Sequence, residues 1–309
     1  MSTLGVIVGR FQVPELHAAH RKLIRYASTN FDDVLIVIGT AMVLSKTNPL
    51  PYTYVREIVK SGVLGCVNVH IGQIYDKPTN EEWSIVLDDK ITTMFPNHEV
   101  TLLGGRDSFI DRYTGIYTAR VLGPDIFGES YSSSGTKIRS TLSPNTYQDT
   151  ASFYAGYIKA VQDRRDIINS TVDLTIYNEN MDKLLLGRKK VDDGLRMPGG
   201  FINPGESAED AAYRELEEET GITEDHLIKS SMYPFRKLVF IDTNIIKDWR
   251  FRDSTDTILT HLFIGKVHEN NKAIKASDDL VSLEWHSKKS LRKSHIADAH
   301  RDIILAMPL

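Results

Sequence analysis

The chain has 309 residues, 41% hydrophobic and 25% charged, with 31 Gly and Pro together, which is ordinary globular usage and excludes disorder, collagen and low complexity. Domains cluster near roughly 100–200 residues, so this length points to two domains rather than one. Lys and Arg number 37 against 41 Asp and Glu, a net charge of -4. No broad basic field for nucleic acid follows from that balance, and any phosphate must be gripped locally.

The single cysteine, Cys66, excludes an intrachain disulfide. The N-terminus lacks a basic region followed by an apolar stretch of signal-peptide length, and no apolar run approaches the roughly 20 residues of a membrane helix. A cytoplasmic protein with no membrane partner is expected.

In the first half, β-rich apolar runs alternate with helical segments. Leu4–Val8 reads as a strand, His17–Ala27 as a helix, Val34–Ile38 as a strand and Tyr54–Ser61 as a helix. Val67–Ile71 and Val100–Leu103 follow as strands, with helices over Glu81–Met94 and Ser152–Arg165. Continuous apolar strands alternating with helices imply a mainly parallel sheet covered on both faces. Beyond Arg165 the pattern changes. Val172–Tyr177 and Leu184–Arg188 flank a polar turn over 178–182, the signature of a hairpin. A Gly/Pro loop (Met197-Pro198-Gly199-Gly200), a charged helix over Ser207–Thr220, strands near Leu238–Ile241, Thr257–Val267 and Val281–Trp285, and a last helix complete the chain. The boundary is expected near residues 166–170, giving domains 1–168 and 169–309. No Gly/Ser linker separates them.

The first strand runs into Gly9-Arg10-Phe11-Gln12-Val13-Pro14 and then His17-Ala18-Ala19-His20. In an open α/β sheet, ligands bind at the carboxyl ends of strands, where a helix N-terminus offers free amides. Two histidines three apart can turn their rings to one side and donate to phosphate oxygens. About 115 residues downstream, Ser132-Ser133-Ser134-Gly135-Thr136-Lys137-Ile138-Arg139 is a hydroxyl-rich loop entering a helix, a second anion grip.

These paired segments resemble the signatures of the nucleotidyltransferase superfamily, the HxGH adenylyltransferases. The resemblance implies a Rossmann-like domain that takes ATP as substrate with Mg²⁺ (or Mn²⁺), held by Gly9, Arg10, Phe11, His17, His20, Ser134, Thr136 and Arg139. His17, His20 and Arg139 would stabilise charge on the α-phosphorus and the leaving pyrophosphate. No covalent nucleophile is implied, so catalysis is positioning plus electrostatics. Ala19 stands where the family usually has Gly, a substitution that a helical position tolerates. The loop from Phe11 to His17 is also longer than in the shortest members.

Asn48, Arg56 and Asp76-x-Pro78-x-Asn80-x-x-Trp83 resemble segments of the archaeal-type nicotinamide mononucleotide adenylyltransferases. There Trp83 would stack on the nicotinamide ring, a cation–π contact worth roughly 0.5–2 kcal/mol. Gly104-Gly105-Arg106-Asp107 resembles the family's turn at the adenosine, with Gly105 and Asp107 as ATP contacts.

The second site is contiguous. Gly200-x5-Glu206-x7-Arg214-Glu215-Leu216-x-Glu218-Glu219-x-Gly221-Ile222 matches all nine constrained positions of the Nudix box over 23 residues. Glu215, Glu218 and Glu219 share one helical face, where like charges repel unless divalent cations neutralise them. All-oxygen hard ligands suit Mg²⁺ or Mn²⁺. Arg214 is expected to orient Glu206, and Gly221 to end the helix. The resemblance implies an α/β/α Nudix fold with a mixed sheet and hydrolysis of a nucleoside diphosphate linked to another moiety, with Glu218 and Glu219 catalytic. Glu269 and Glu284 are both candidates for a base outside the box. Thr260-His261-x-Phe263, Asp278-Asp279 and Trp285 resemble the ADP-ribose pyrophosphatase subgroup.

Together the resemblances imply a bifunctional α/β enzyme of NAD metabolism. Its first half would make NAD and pyrophosphate from ATP and nicotinamide mononucleotide, and its second would cleave ADP-ribose to AMP and ribose 5-phosphate. Small molecules are the expected partners, and a homo-oligomer is compatible with the sequence. The alternatives are another phosphorylated acceptor, and a Nudix domain with a different nucleotide substrate or a sensing role. A fused riboside kinase is not expected, because the sequence contains no G-x4-G-K-[ST] loop.

Overall fold

The computed structural model describes residues 2–106, 108–142, 149–190, 192–229 and 237–308. Two compact units result: Met1–Arg165 together with Trp249–Thr255, and Asp166–Asp248 together with Asp256–Leu309. Both are α/β. Among the described residues no helix is long and apolar enough to cross a membrane.

The first unit runs β1 (Ser2–Gly9), α1 (Ala18–Asn30), β2 (Asp33–Thr40), α2 (Tyr52–Gly62), β3 (Val69–Tyr75), α3 (Asn80–Met94), β4 (His98–Gly104) and β5 (Thr118–Val121). α4 (Pro124–Phe127), α5 (Gly135–Ser140) and α6 (Asp149–Asp163) follow. The five strands are all parallel, in the order β3-β2-β1-β4-β5. β2 shows why these strands read as unbroken apolar runs. Ile36 and Ile38 pack with Leu23, Ile58 and Val59 of α1 and α2, while Leu35 and Val37 pack with Leu87 and Ile91 of α3. Both faces are therefore dry. The strand order reverses beside β1, which opens the crevice at its carboxyl end.

Two details depart from the sequence reading. Val67 is fully exposed and β3 begins two residues later, at Val69. β5 was not anticipated, because all four of its residues are exposed at the sheet edge and carry no apolar pattern.

The second unit contains β6 (Ile168–Asn178), β7 (Lys183–Lys189), β8 (Asp192–Arg196), β9 (Gly199–Phe201), α7 (Ala208–Thr220), β10 (Val239–Ile246), β11 (Thr257–Val267), β12 (Leu280–Ser287), α8 (Lys288–Leu291) and α9 (Asp298–Ala306). Its mixed sheet follows the path β10-β11-β6-β7-β12, with β6 and β11 parallel. The β6–β7 hairpin closes where the Asn178 side-chain oxygen accepts from the amides of Asp182 and Lys183 at 3.0 and 3.2 Å. Val172, Leu174 and Ile176 of β6 pack on Ala211, Ala212 and Leu216 of α7. The alternate residue Asp173 turns the other way, toward Thr260 (2.6 Å) and His300 of α9 (3.6 Å). α7 and α9 thus cover opposite faces.

Candidate functional sites

β1 delivers Gly9 and Arg10 to the crevice. Phe11 follows with a φ of 47°, and its ring lies 4.9 Å from that of His20. His17 is the N-cap of α1, and its ring stacks on His20 with centroids 3.7 Å apart and planes 23° apart. The Nδ1 atoms of both rings are buried without a hydrogen-bond partner. Burial pulls the His17 pKa down, and takes that of His20 to about 3 with His17 adding to it, so both rings are neutral at ordinary pH.

Arg139 arrives from α5, 127 residues along the chain from its partner Gln12. Its Nη1 donates to the Gln12 carbonyl at 3.0 Å and its Nη2 to the Thr136 hydroxyl at 3.2 Å. Ser134 caps α5 by accepting from the Lys137 amide. Gln12 is itself buried, exchanging two hydrogen bonds with the Leu50 main chain at 3.1 and 2.7 Å. The fold therefore brings the Arg139 guanidinium onto the same loop that carries the histidine pair. Gly105 follows β4 and faces Phe127. Asp107, expected as an ATP contact, lies outside the described residues.

Beside this loop is a cleft of about 620 Å³, lined by Gly9, Arg10, Asp76, Trp83, Phe109 and Arg112 among others. That size suits a small-molecule ligand. Trp83 stands on the first turn of α3, which Thr79 caps by accepting from the Glu82 amide, and its ring lies 5.9 Å from Phe109. The other two expected acceptor contacts are elsewhere. Asn48 is buried, exchanging main-chain and hydroxyl bonds with Ser45, and Arg56 is an exposed α2 residue 3.7 Å from Glu57. Neither lines the cleft: Asn48 is held in the loop before α2, and Arg56 lies on the exposed side of α2.

In the second unit, α7 gathers the acidic groups. Arg214 donates to both oxygens of Glu206 at 2.7 and 2.9 Å. Its Nη1 also reaches Glu215 at 2.6 Å and Glu218 at 2.9 Å. The guanidinium holds the Glu206 carboxyl down at about 2. It acts as an internal cation for three carboxylates. Gly200 has no room for a Cβ, which would run into the Glu215 carboxylate. Gly221 ends α7 at a φ of 69°, with its amide donating to the Glu217 carbonyl at 2.9 Å.

Glu219 is 2% exposed and accepts from the Gly199 amide at 2.7 Å. Burial, with Asp279 beside it, pushes its carboxyl well above the usual range. Lys189 approaches it at 3.6 Å and also pairs with Asp279. Ligand oxygens of Glu219, Asp278 and Asp279 lie within 4.8 Å of one another. Such a set of hard oxygen donors around a buried carboxylate fits a divalent cation. Among the described residues this group brings three carboxylates close enough to share one cation. Glu215 and Glu218 are instead taken up by Arg214.

A family model described as NUDIX domain matches residues 168–307. A Bacillus subtilis protein named "Putative 8-oxo-dGTP diphosphatase" is 31% identical over 128 residues, which cover 41% of this chain and 72% of that one. The chain belongs to the Nudix family. A protein named "RNA pyrophosphohydrolase", from Erythrobacter litoralis, is 40% identical over 63 residues, 18% of this chain and 38% of that protein. Over 98% of each chain, the structure also aligns with a bifunctional NMN adenylyltransferase/ADP ribose pyrophosphatase from Francisella tularensis, at 18% identity and a TM-score of 0.45.

Within the Nudix unit, the two expected base candidates are engaged elsewhere. Glu269 pairs with Lys183 at 2.6 Å and accepts from the Asn178 side chain at 3.2 Å, at the β6–β7 turn. Its main-chain carbonyl accepts from Trp285 Nε1 at 3.2 Å. Glu284 is a half-exposed β12 residue 3.5 Å from His286. The acidic groups that do meet the box are Asp278 and Asp279, from the loop between β11 and β12. Sequence reasoning noted that pair without linking it to Glu219; its one local signal is two adjacent carboxylates ahead of a strand. Lys189 was missed altogether, since a lysine ending a strand carries no signal of its own.

Proposed function

We propose that the first unit transfers the adenylyl group of ATP to nicotinamide mononucleotide and that the Nudix unit hydrolyses ADP-ribose to AMP and ribose 5-phosphate. The observation that carries the first activity is the convergence of Arg139 with stacked His17 and His20 on the β1 loop. In the reaction, a phosphate oxygen of the acceptor forms a bond to the α-phosphorus, the bond from that phosphorus to the α–β bridging oxygen breaks, and pyrophosphate leaves. Arg139 supplies fixed positive charge to the phosphates. The neutral histidines donate N–H groups without needing a proton from solvent. Gly9, Arg10, Phe11, Gly105, Ser134 and Thr136 complete the ATP side, and Trp83 offers an indole face to the cationic pyridinium.

In the Nudix unit, Glu219, Asp278 and Asp279 would hold Mg²⁺ or Mn²⁺, which supplies Lewis-acid charge to the diphosphate when bound. Arg214 keeps Glu206 ionised and fixes Glu215 and Glu218 along the same helix. Gly199 and Gly200 let the loop pass close over α7.

The test is a product panel. The whole chain is incubated with Mg²⁺ and, separately, ATP plus nicotinamide mononucleotide, ATP plus its deaminated acid, and ADP-ribose, and the products are resolved by chromatography. NAD with pyrophosphate in the first, and AMP with ribose 5-phosphate in the last, are expected. No dinucleotide from either acceptor would overturn the first assignment, and intact ADP-ribose the second.

A further inference from the structure

β10 and β11 pair antiparallel, with Ile246 opposite Ile258 at the end of the ladder. Two to five residues suffice to join such a hairpin. Here ten residues, 247–256, make the connection, and Trp249–Thr255 folds with the first unit. The stretch is ordered by its own bonds. A short 3₁₀ turn covers Trp249–Phe251, the Arg252 amide donates to the Trp249 carbonyl at 3.2 Å, and the Ser254 amide to the Phe251 carbonyl at 2.9 Å.

Two of its charged residues, Arg252 and Asp253, line the 620 Å³ cleft with Trp83 and Arg112. Asp253 shares the Arg10 Nη2 with Asp76, at 3.4 and 3.0 Å, and its carbonyl accepts from the Ser45 hydroxyl at 3.4 Å. Arg252 donates through Nη1 to the Pro78 carbonyl at 3.4 Å and through Nη2 to the Lys77 carbonyl at 3.2 Å. Both contacts are with main-chain oxygens. Among the described residues no carboxylate pairs with Arg252, so a guanidinium fixed in orientation keeps its charge at the wall of a ligand-sized cleft. Arg10, in contrast, is engaged by two carboxylates. A planar, permanently charged fork held in this way suits a phosphate dianion.

Resting on the adenylyltransferase reading above, we infer that Arg252 binds the phosphate of the acceptor mononucleotide, and that the 249–255 segment is therefore an acceptor-recognition element of the first unit. The sequence places it in the middle of the Nudix region, yet its function belongs to the other reaction.

The full chain carrying Arg252→Ala, Arg252→Lys or no substitution is assayed for NAD formation with varied mononucleotide and varied ATP. Competitive inhibition by nicotinamide riboside, which lacks the phosphate, is measured alongside. Arg252→Ala is expected to raise the acceptor KM at least tenfold, with the ATP KM within twofold and the riboside inhibition constant unchanged. Arg252→Lys, which keeps the charge without the fork, is expected to recover part of the loss. Unchanged ADP-ribose cleavage reports that the variant is folded. An unaltered acceptor KM overturns the inference while leaving adenylyl transfer standing. Equal weakening of riboside and mononucleotide overturns it too, since that marks Arg252 as a clip on residues 77–78 only. Absence of NAD formation by the unsubstituted chain overturns the function itself, and this inference with it.

Discussion

At the end of β1 the converging groups are neutral or cationic, two stacked imidazoles and a guanidinium, and they come from segments more than a hundred residues apart. Around α7 the converging groups are carboxylates, Glu219 of the helix with Asp278 and Asp279 of the loop before β12, and the internal cations Arg214 and Lys189 restrain the acidic residues there. Each arrangement matches the charge it would meet. A polyphosphate brings its own negative charge, so its site needs only donors and fixed positive charge held at strand ends. A metal ion brings positive charge, so its site must store carboxylates at close range, at a cost in repulsion that neighbouring cations offset. On the proposed function, one chain would carry two phosphate chemistries with opposite electrostatic designs, each local, under a net charge of -4.

The sharpest way to break this comparison is to remove one site and watch the other. Glu219→Gln keeps the shape but removes the carboxylate that would bind the cation, and ADP-ribose cleavage is expected to fall about 10³-fold or more while NAD formation is unchanged. His20→Ala should do the reverse, lowering NAD formation roughly 10²–10³-fold, a loss of about 3–4 kcal/mol in barrier stabilisation, with ADP-ribose cleavage intact. Steady-state rates of both reactions on each variant check the pair. Loss of both activities in either folded variant would show that the sites are not independent.

Acid titration sharpens the contrast from the stability side. His20 stays neutral in the folded chain down to about 3, whereas an unfolded histidine takes up a proton near 6.5. Below that value the unfolded state binds more protons, so the stability His20 contributes is present above pH 6.5 and is lost as pH falls. The loss should reach about 2 kcal/mol by pH 5. The first unit of His20→Asn should accordingly lose less stability than that of the parent between pH 7.5 and 5, as read by the shift in its unfolding midpoint. Parallel shifts would mean that the ring titrates normally. The smallest effect expected is on α7. Gly221→Ala puts a Cβ 2.5 Å from the Ala273 carbonyl at a φ of 69°, and should cost the Nudix unit about 1–2 kcal/mol in chemical denaturation.

How much of each site was legible in the sequence follows from how it is assembled. The α7 box is contiguous, and helical geometry fixes which residues share a face. Glu206, Arg214 and Gly221 accordingly take the roles expected of them. Asn48 and Arg56 lie off the cleft wall: Asn48 is tied to Ser45 in the loop before α2, and Arg56 is exposed on α2 beside Glu57. The Nudix base candidates show the same limit. Glu269 and Glu284 are suitable in type, yet Glu269 is engaged by Lys183 and Asn178 at the β6–β7 turn and Glu284 by His286 on β12, while Asp278 and Asp279 meet Glu219 across a loop whose path no local pattern specifies.

The sequence alone determined what short-range periodicity and spacing encode. That covers the parallel character of the first sheet, from strands apolar on both faces, the β6–β7 hairpin, and the α7 box with its terminating glycine. Tertiary structure alone decided what depends on where the chain returns. It added the exposed edge strand β5, set Lys189, Asp278 and Asp279 against Glu219, and placed Trp249–Thr255 with the first unit. The reason is physical: helix and strand periods are written in neighbouring residues, whereas a contact across a hundred residues is selected by the packing of the whole core and leaves no local trace.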